Sequence, residues 1–381
     1  MKVALWPGAI AVALVTALAI GFMWAESEWE VVAALAVAVV GALAARRIGW
    51  LTPALRAFTE REPAMNRMAL AAVLVFVLFF HNDHFPLLML GTVLVYLLVC
   101  LGLNIQFGYT GMVNFAAAAF MGSGCYTAAV LSAHTPLPHL LVLALGGVVA
   151  ALIGSILIVP VLRTRGHYSA VVTIAFGLLF KTFLEVNDTL GGPQGLKLPS
   201  MQIFGWTFNE NFSVAGIEFS FYVNYVLVAL ALVAIAFALT RRLERSWIGL
   251  SLDAVRLDET ASACFGIHIG RWKIVAFTLG NFMAGVAGAL YALMLGFIAP
   301  TNFTFGDSLI MVSIILLGGI GNPWGAVLAA AIVVMLPEKL QLIQEYRFLL
   351  YAAMVIMVLL FRPEGLLPRQ LRVYLPGWKP R

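Results

Sequence analysis

Apolar residues run along this chain in long uninterrupted blocks, and short polar clusters separate them. Twelve such blocks can be read: about 3–24, 29–48, 68–83, 85–107, 112–131, 139–162, 168–187, 221–240, 272–297, 307–321, 323–340 and 347–361. A run of about 20 apolar residues is the length that crosses a bilayer as a helix. The pattern therefore predicts an all-α fold, a polytopic transmembrane helix bundle. Two glycine-rich stretches interrupt it, "FGYTGMVNF" (107–115) and "LLGGIGNPWG" (317–325). Irregular backbone at membrane depth is tolerated where it is buried in protein or lines a cavity, and paired breaks in the two halves of a transporter often mark its pathway. Ordinary tight turns at the interface would read the same way, so broken or re-entrant segments at Gly111 and Gly319 stand as one of two readings. Gly285 and Gly288 in "GVAGAL" suit close helix packing.

Residues 241–273 depart from the pattern, with six Lys/Arg and four Asp/Glu between two apolar blocks. Within them Trp247, Leu250, Ala254, Leu257, Ala261 and Cys264 step by three and four, which is one helical face. Ser246 can cap its start, Asp258 can cap a second short helix, and Gly266 is a natural stop. The segment is too charged to span, so it predicts a helix pair at the membrane surface. Such a pair can rest on lipid, pack on its own membrane domain, or dock into the groove of a partner. Its acids nearly balance its bases, which suits the third.

Composition narrows the class. The 381 residues are 62% hydrophobic and 11% charged, with a mean hydropathy of +0.98, against about 25% charged in soluble domains. The pI near 9.2 could suggest nucleic acid. However, 18 of 23 Lys/Arg fall in four places: 46–67, Arg163 with Arg165, 241–273 and 362–381. Alternating the twelve segments puts all four on one side, which marks that side as cytoplasmic; both termini then face the cytoplasm and the 188–220 loop faces outside. That loop is either a landing surface for something delivered from outside or a lid on its own domain. Cys100, Cys125 and Cys264 have no metal or disulfide spacing. The first run is followed by "ESEWE" and a second run, a retained hairpin rather than a cleaved leader.

Candidate chemistry is sparse. No GxxxxGK[ST] phosphate loop occurs, and "HNDH" (81–84) offers too few ligands for a metal. Lys181 and Glu185 sit four apart on one helical face, as a pair at a pathway mouth or at the interface. Asn114, Thr173, Asn281, Asp307 and Ser308 are the polar residues left to line a pathway. An enzyme would need an acid, base or nucleophile set at one depth, and the histidines (81, 84, 134, 139, 167, 268) fall at segment ends. A secondary transporter would need a buried carboxylate, for which Asp307 and Glu185 are the candidates.

The blocks "GYTGMVNFAAAAFMGSGCYTAAVL", "LRTRGHYSAVVTIAFG", "GGPQGL", "RSWIGLSLDAVRLDETASACFGI", "FTLGNFMAGVAGALYA", "FTFGDSLIMVSIILLGGIGNPWGAVLAA" and "LLFRPEGLL" resemble, in order, those of the branched-chain amino acid ABC-importer permeases, and more closely the LivM-type subunit, whose relatives also serve urea and short amides. The resemblance covers about 85–370. It implies a non-enzymatic permease subunit without cofactor, in the bacterial cytoplasmic (inner) membrane. It also implies a homologous second permease, two cytoplasmic ATPases and a periplasmic binding protein as partners, with lipid around it and no nucleic acid. It makes residues 246–266 a coupling helix, with Gly249, Ala254, Arg256, Asp258, Glu259 and Gly266 as coupling positions; Leu257 joins them from the apolar stripe. The expected organisation is a hairpin and linker (1–66), the permease domain (67–370, coupling loop 241–271) and a tail (371–381). The family often has Gly-His where this chain has Ala116 and Ala117, Asp at His167 and Glu at Leu178, so three polar groups of the family pattern are missing or altered here.

Overall fold

The computed structural model describes residues 5–25, 27–50, 61–163, 168–203, 205–214, 216–339 and 364–369, with a few isolated positions besides. Eleven of the twelve apolar segments contain a helix among the described residues: α1 (Trp6–Trp24), α2 (Glu28–Arg47), α3 (Glu62–Phe79), α4 (His84–Asn104), α5 (Ala117–His134), α6 (His139–Arg163), α7 (Tyr168–Val186), α8 (Tyr222–Glu244), α11 (Ile269–Leu295), α12 (Phe305–Gly318) and α13 (Pro323–Lys339). The twelfth, 347–361, falls mostly outside the described residues, as does the tail. The charged stretch folds as α9 (Trp247–Leu257) and α10 (Glu259–Cys264). Among the described residues, eight helical stretches are long and apolar enough to cross a membrane. This is a helical, multi-pass membrane fold.

Two compact units emerge. The first comprises 1–89, 211–223 and 336–345. In it α1 packs on α3, where Met65 closes over Gly8 so tightly that a Cβ there would sit 2.5 Å from its sulfur. The last carbonyls of a helix need outside donors, and Lys339 Nζ supplies them at the end of α1, donating to Met23 O at 2.7 Å and Ala25 O at 2.9 Å. The "HNDH" turn is held by Ser220, whose N–H donates to His81 O and whose hydroxyl meets His84 Nδ1 at 2.7 Å. A short hairpin, β4 (Phe212–Val214) with β5 (Ile217–Phe219), follows the same loop.

The second unit, 90–210, 224–335 and 346–381, is built around α5, α6 and α11. Small residues let these three approach closely. A Cβ on Gly285 would strike the Gly146 carbonyl and lie 2.5 Å from Ala150 Cβ, and one on Gly124 would strike the Gly285 carbonyl. In lipid, where helices gain little from hydrophobic burial, such contact supplies dispersion energy. Two further strand pairs lie in this unit, β2 (Gln202–Ile203) with β3 (Trp206–Thr207) and β1 (Leu196–Lys197) with β6 (Phe297–Ile298). The second of these brings the 188–220 loop and the α11–α12 connection to one end of the bundle. By contrast α7 leaves Val171, Leu179, Phe183 and Val186 exposed, an apolar face free for lipid or another subunit.

Gly285→Ala should therefore destabilise the protein by about 1–3 kcal/mol, because the obstacle is backbone that cannot swing aside. Gly21→Ala meets nothing within 4 Å and should be neutral or stabilising by up to about 1 kcal/mol. Thermal melting of the two variants in one detergent compares them directly.

Candidate functional site: a broken helix beneath a surface helix

The run of α4 does not end as an α-helix. Ile105–Tyr109 form a π-turn, the chain reverses at Gly111 (φ +69°), and residues 111–116 are non-helical before α5 begins. Gly111 thus marks a true break. A π-turn widens the helix by one residue per turn and misaligns its carbonyls, which is why such turns gather at functional positions.

Around this break lies a buried set of amides and hydroxyls. Gln106 is its centre: Nε2 donates to Asn281 Oδ1 (3.0 Å) and Phe277 O (3.1 Å), and Oε1 accepts from Asn114 Nδ2 (2.8 Å). Asn114 Oδ1 accepts from Ala116 N–H at 2.9 Å. The Phe115 N–H donates to Thr173 Oγ1 at 3.1 Å, about one and a half turns into α7. The start of α5 has no cap of its own, and Ser308 Oγ accepts from Ala118 N–H at 3.0 Å in its place. Aromatic rings flank the set, with Phe115 6.4 Å from Phe107 and 6.5 Å from Phe305. Asn114, Thr173, Asn281 and Ser308 are thereby brought together, all buried. Asp307 is not among them: it closes a capping box with Thr304 at the start of α12, a structural role that accounts for its carboxylate.

Below the break is a second node. The Gly108 carbonyl accepts from Arg256 Nη1 (2.6 Å) and from Arg369 Nη1 (3.1 Å). Arg369 also grips Asp253 with both Nη atoms, at 2.6 and 2.9 Å, pairs with Glu244 at 3.5 Å, and stacks 4.3 Å over the Tyr109 ring. Burial pulls the Arg369 pKa down, but the Asp253 hydrogen bonds and charge prevail and raise it. Burial, and then the charge of Arg369, lower that of Arg256. Two guanidinium groups on one carbonyl are tolerable here because Asp253 and Glu244 neutralise them. The "GGIG" break joins the same node. Gly321 N–H donates to Asn104 Oδ1 at 2.7 Å, and a Cβ on Gly108 would lie 2.6 Å from Gly321 Cα. At Gly319 (φ +109°) the chain turns under residues 364–367, whose Leu366 and Leu367 N–H groups donate to Leu317 O and Gly318 O.

The surface helices are capped as their sequence suggests. Ser246 Oγ accepts from Gly249 N–H, Asp258 Oδ1 from Ala261 N–H at 3.0 Å, and Gly266 (φ +78°) ends α10. Glu259 pairs with Lys273 at 2.6 Å. The apolar stripe behaves differently from the simplest expectation. Asp258 is extended (φ −157°), so the stripe is cut in two rather than continuous. Furthermore, the side that faces this chain carries Gly249, Leu252 and Val255, while Trp247 is 70%, Leu257 71% and Phe265 87% exposed. Ala254 lies at the boundary, partly covered. Packing on its own membrane domain thus explains one face of α9 and leaves the other open.

A family model described as "Branched-chain amino acid transport system / permease component" matches residues 85–359. The LivM permease proteins of the high-affinity branched-chain amino acid transport systems of Salmonella typhimurium and Escherichia coli are each 35% identical over 289 residues, covering 72% of this chain and 68% of theirs. LivH of Escherichia coli is 27% identical over 310 residues, 77% of this chain and 96% of its own. No solved structure matches the chain significantly. The chain belongs to the branched-chain amino acid permease family. It is a transport component, and the described break, node and surface helix all lie inside or directly beside the matched region.

Of the family's departures, Ala116 and Ala117 are buried at the uncapped start of α5, Leu178 is exposed on α7, and His167 lies outside the described residues. Lys181 and Glu185 do pair, at 3.2 Å, on the exposed side of α7. Sequence reasoning missed Gln106, although a lone glutamine in an apolar run is a signal, and it missed Asn104, Asp253 and Arg369. Gln106→Leu should leave Asn114 Nδ2 and Asn281 Oδ1 only their long 3.4 Å bond to each other, at a cost of about 1–3 kcal/mol, lowering the melting temperature further than Asp307→Leu does.

Proposed function

We propose that this permease is one of two homologous membrane subunits of an ATP-driven importer that carries branched-chain amino acids, delivered by a periplasmic binding protein. In this reading the node and α9–α10 face the cytoplasm, both termini lie on that side, and the 188–220 loop faces outside, in line with the basic clusters. Residues 1–66 are an accessory hairpin and linker, separate from the permease domain in sequence.

The observation that carries the reading is the open face of α9 and α10. A helix pair bearing Trp247, Leu250, Leu257 and Phe265 outward, with charges between, fits the groove of a water-soluble partner. On this reading ATP hydrolysis takes place in partner subunits, and these helices are where one would seat. The residues Gly249, Ala254, Arg256, Leu257, Asp258, Glu259 and Gly266 then play different parts. Leu257 contacts the partner, Asp258 and Gly266 shape the pair, and Gly249 and Arg256 hold it to the membrane domain. For the solute, the relatives' names agree with the chemistry around the break. Aromatic rings beside a few uncharged amides and hydroxyls suit an apolar side chain with a compact zwitterionic head. Gly111, Asn114, Thr173, Asn281, Ser308 and Gly319 are the pathway positions on this reading, with Gln106 added and Asp307 a cap.

Leu257→Asp would place an unpaired charge in the partner's groove, a penalty of about 1–3 kcal/mol. Reconstituted with its sister permease, ATPases and binding protein, that variant should lose ATPase co-purification and ATP-dependent leucine uptake. The binding protein should still dock from outside. Glu259→Lys should weaken attachment less, since it changes charge at the rim. Attachment and uptake at the parental level in both variants would refute the docking face.

A further inference from the structure

The side chain of Arg369 is 7% exposed and touches four parts of the second unit, yet nothing in the docking reading requires it. It sits just after residues 364–367, which are pinned by two backbone hydrogen bonds to the end of α12. From that fixed base it reaches Asp253 in the middle of α9, the Gly108 carbonyl in the π-turn, Glu244 at the end of α8, and the Tyr109 ring. Its methylenes press on Gly321, so that a Cβ there would collide with Arg369 Cδ. A guanidinium that holds a carboxylate with two parallel bonds fixes direction as well as distance, which a lysine cannot do.

We propose that Arg369 is a positioning residue that latches α9 to both broken segments, so that a shift of α9 is passed to the backbone at Gly108 and Gly321. This rests on the docking reading of α9 and deepens it. Two features make the latch a transmitter rather than a general brace. First, the element it grips at Gly108 is a π-turn followed by non-helical chain, a stretch whose carbonyls are not locked into an α-helical ladder and can exchange partners. Second, Arg256 holds the same carbonyl from the same helix at 2.6 Å, so α9 already has an anchor without Arg369. What Arg369 adds is the link from α9 to the "GGIG" break and to the segment after the last membrane stretch. Coupling between sites is carried by such connected elements only when they have two arrangements available, and the break supplies that freedom.

The test separates attachment from coupling in the full complex. Arg369→Gln, Arg369→Lys and Asp253→Asn should keep the ATPases bound and basal ATP hydrolysis intact. Solute-stimulated hydrolysis and leucine uptake should fall together by about tenfold, within the range of ordinary coupling between sites. Parental stimulation in all three single variants would overturn the latch. So would loss of ATPase binding in step with uptake, which would make Arg369 a structural brace. Leu257→Asp run in parallel tests the reading beneath: ATPases still attached there would remove α9 as the docking helix, whereas ATPases lost there with Arg369→Gln fully coupled would sink the latch alone.

Discussion

The Gly108 carbonyl governs the arrangement of the end of this permease on which α9 packs. A π-turn displaces it from the α-helical ladder, and a displaced carbonyl in a low-dielectric setting must find a donor or carry the full penalty of burial. The chain answers with Arg256 from the surface helix and Arg369 from the far C-terminal segment. Each guanidinium then needs a counter-charge, which brings in Asp253 and Glu244. One irregular turn thus recruits α8, α9 and residues 364–369 to a single point. The second break obeys the same rule on a smaller scale, with Asn104 receiving the Gly321 N–H and residues 366–367 pairing with the end of α12.

The amides above that point obey a related constraint. A buried polar network strengthens a fold only when its members satisfy one another, since a half-paired amide is worse than a hydrocarbon. Gln106 joins the set because it can donate to Asn281 and accept from Asn114 at once, which leaves Asn281 Nδ2 as the unsatisfied member of the described trio. Its reach depends on the close packing of the helices around it. A Cβ on Gly280 would collide with the Gln106 amide, and one on Gly102 with the Gly280 carbonyl, so glycine is what leaves space for the side chain. Small residues and amides are in this sense one design: the first bring the backbones together, and the second use the gap.

Much of this was legible in the sequence, and the limits have physical causes. Helices of the right length follow from apolar runs, because the membrane sets their span; the caps at Ser246 and Asp258 follow from local geometry. The stripe on α9 was legible only in part. Periodicity finds residues that share a face but does not say which face meets the protein, and Leu252 and Val255 took the inner side. Asp307 reads in sequence as a pathway candidate because a carboxylate near a span looks costly; in the fold the capping box with Thr304 satisfies it locally. Arg369 was beyond reach for a different reason. Its partner Asp253 lies 116 residues away, and no local pattern marks a charge that will be buried by a contact made across the whole fold.

The uncharged character of the inner site has a further consequence for transport. Gln106, Asn114, Thr173, Asn281 and Ser308 carry no group that ionises between pH 5 and 9, and the one carboxylate expected among them is occupied at the head of α12. An amino acid crosses that pH range as a zwitterion with fixed charge, so neither the solute nor these five side chains changes protonation during passage. This set therefore offers no ionisable side chain through which a proton could be exchanged. The node beneath it is the charged part of the machine, with its pairs buried and its surface helix open on the outer face. The permease thus separates two kinds of chemistry in space: neutral hydrogen-bonding groups around the broken end of α4, and clamped charges at the node that joins α8, α9 and residues 364–369.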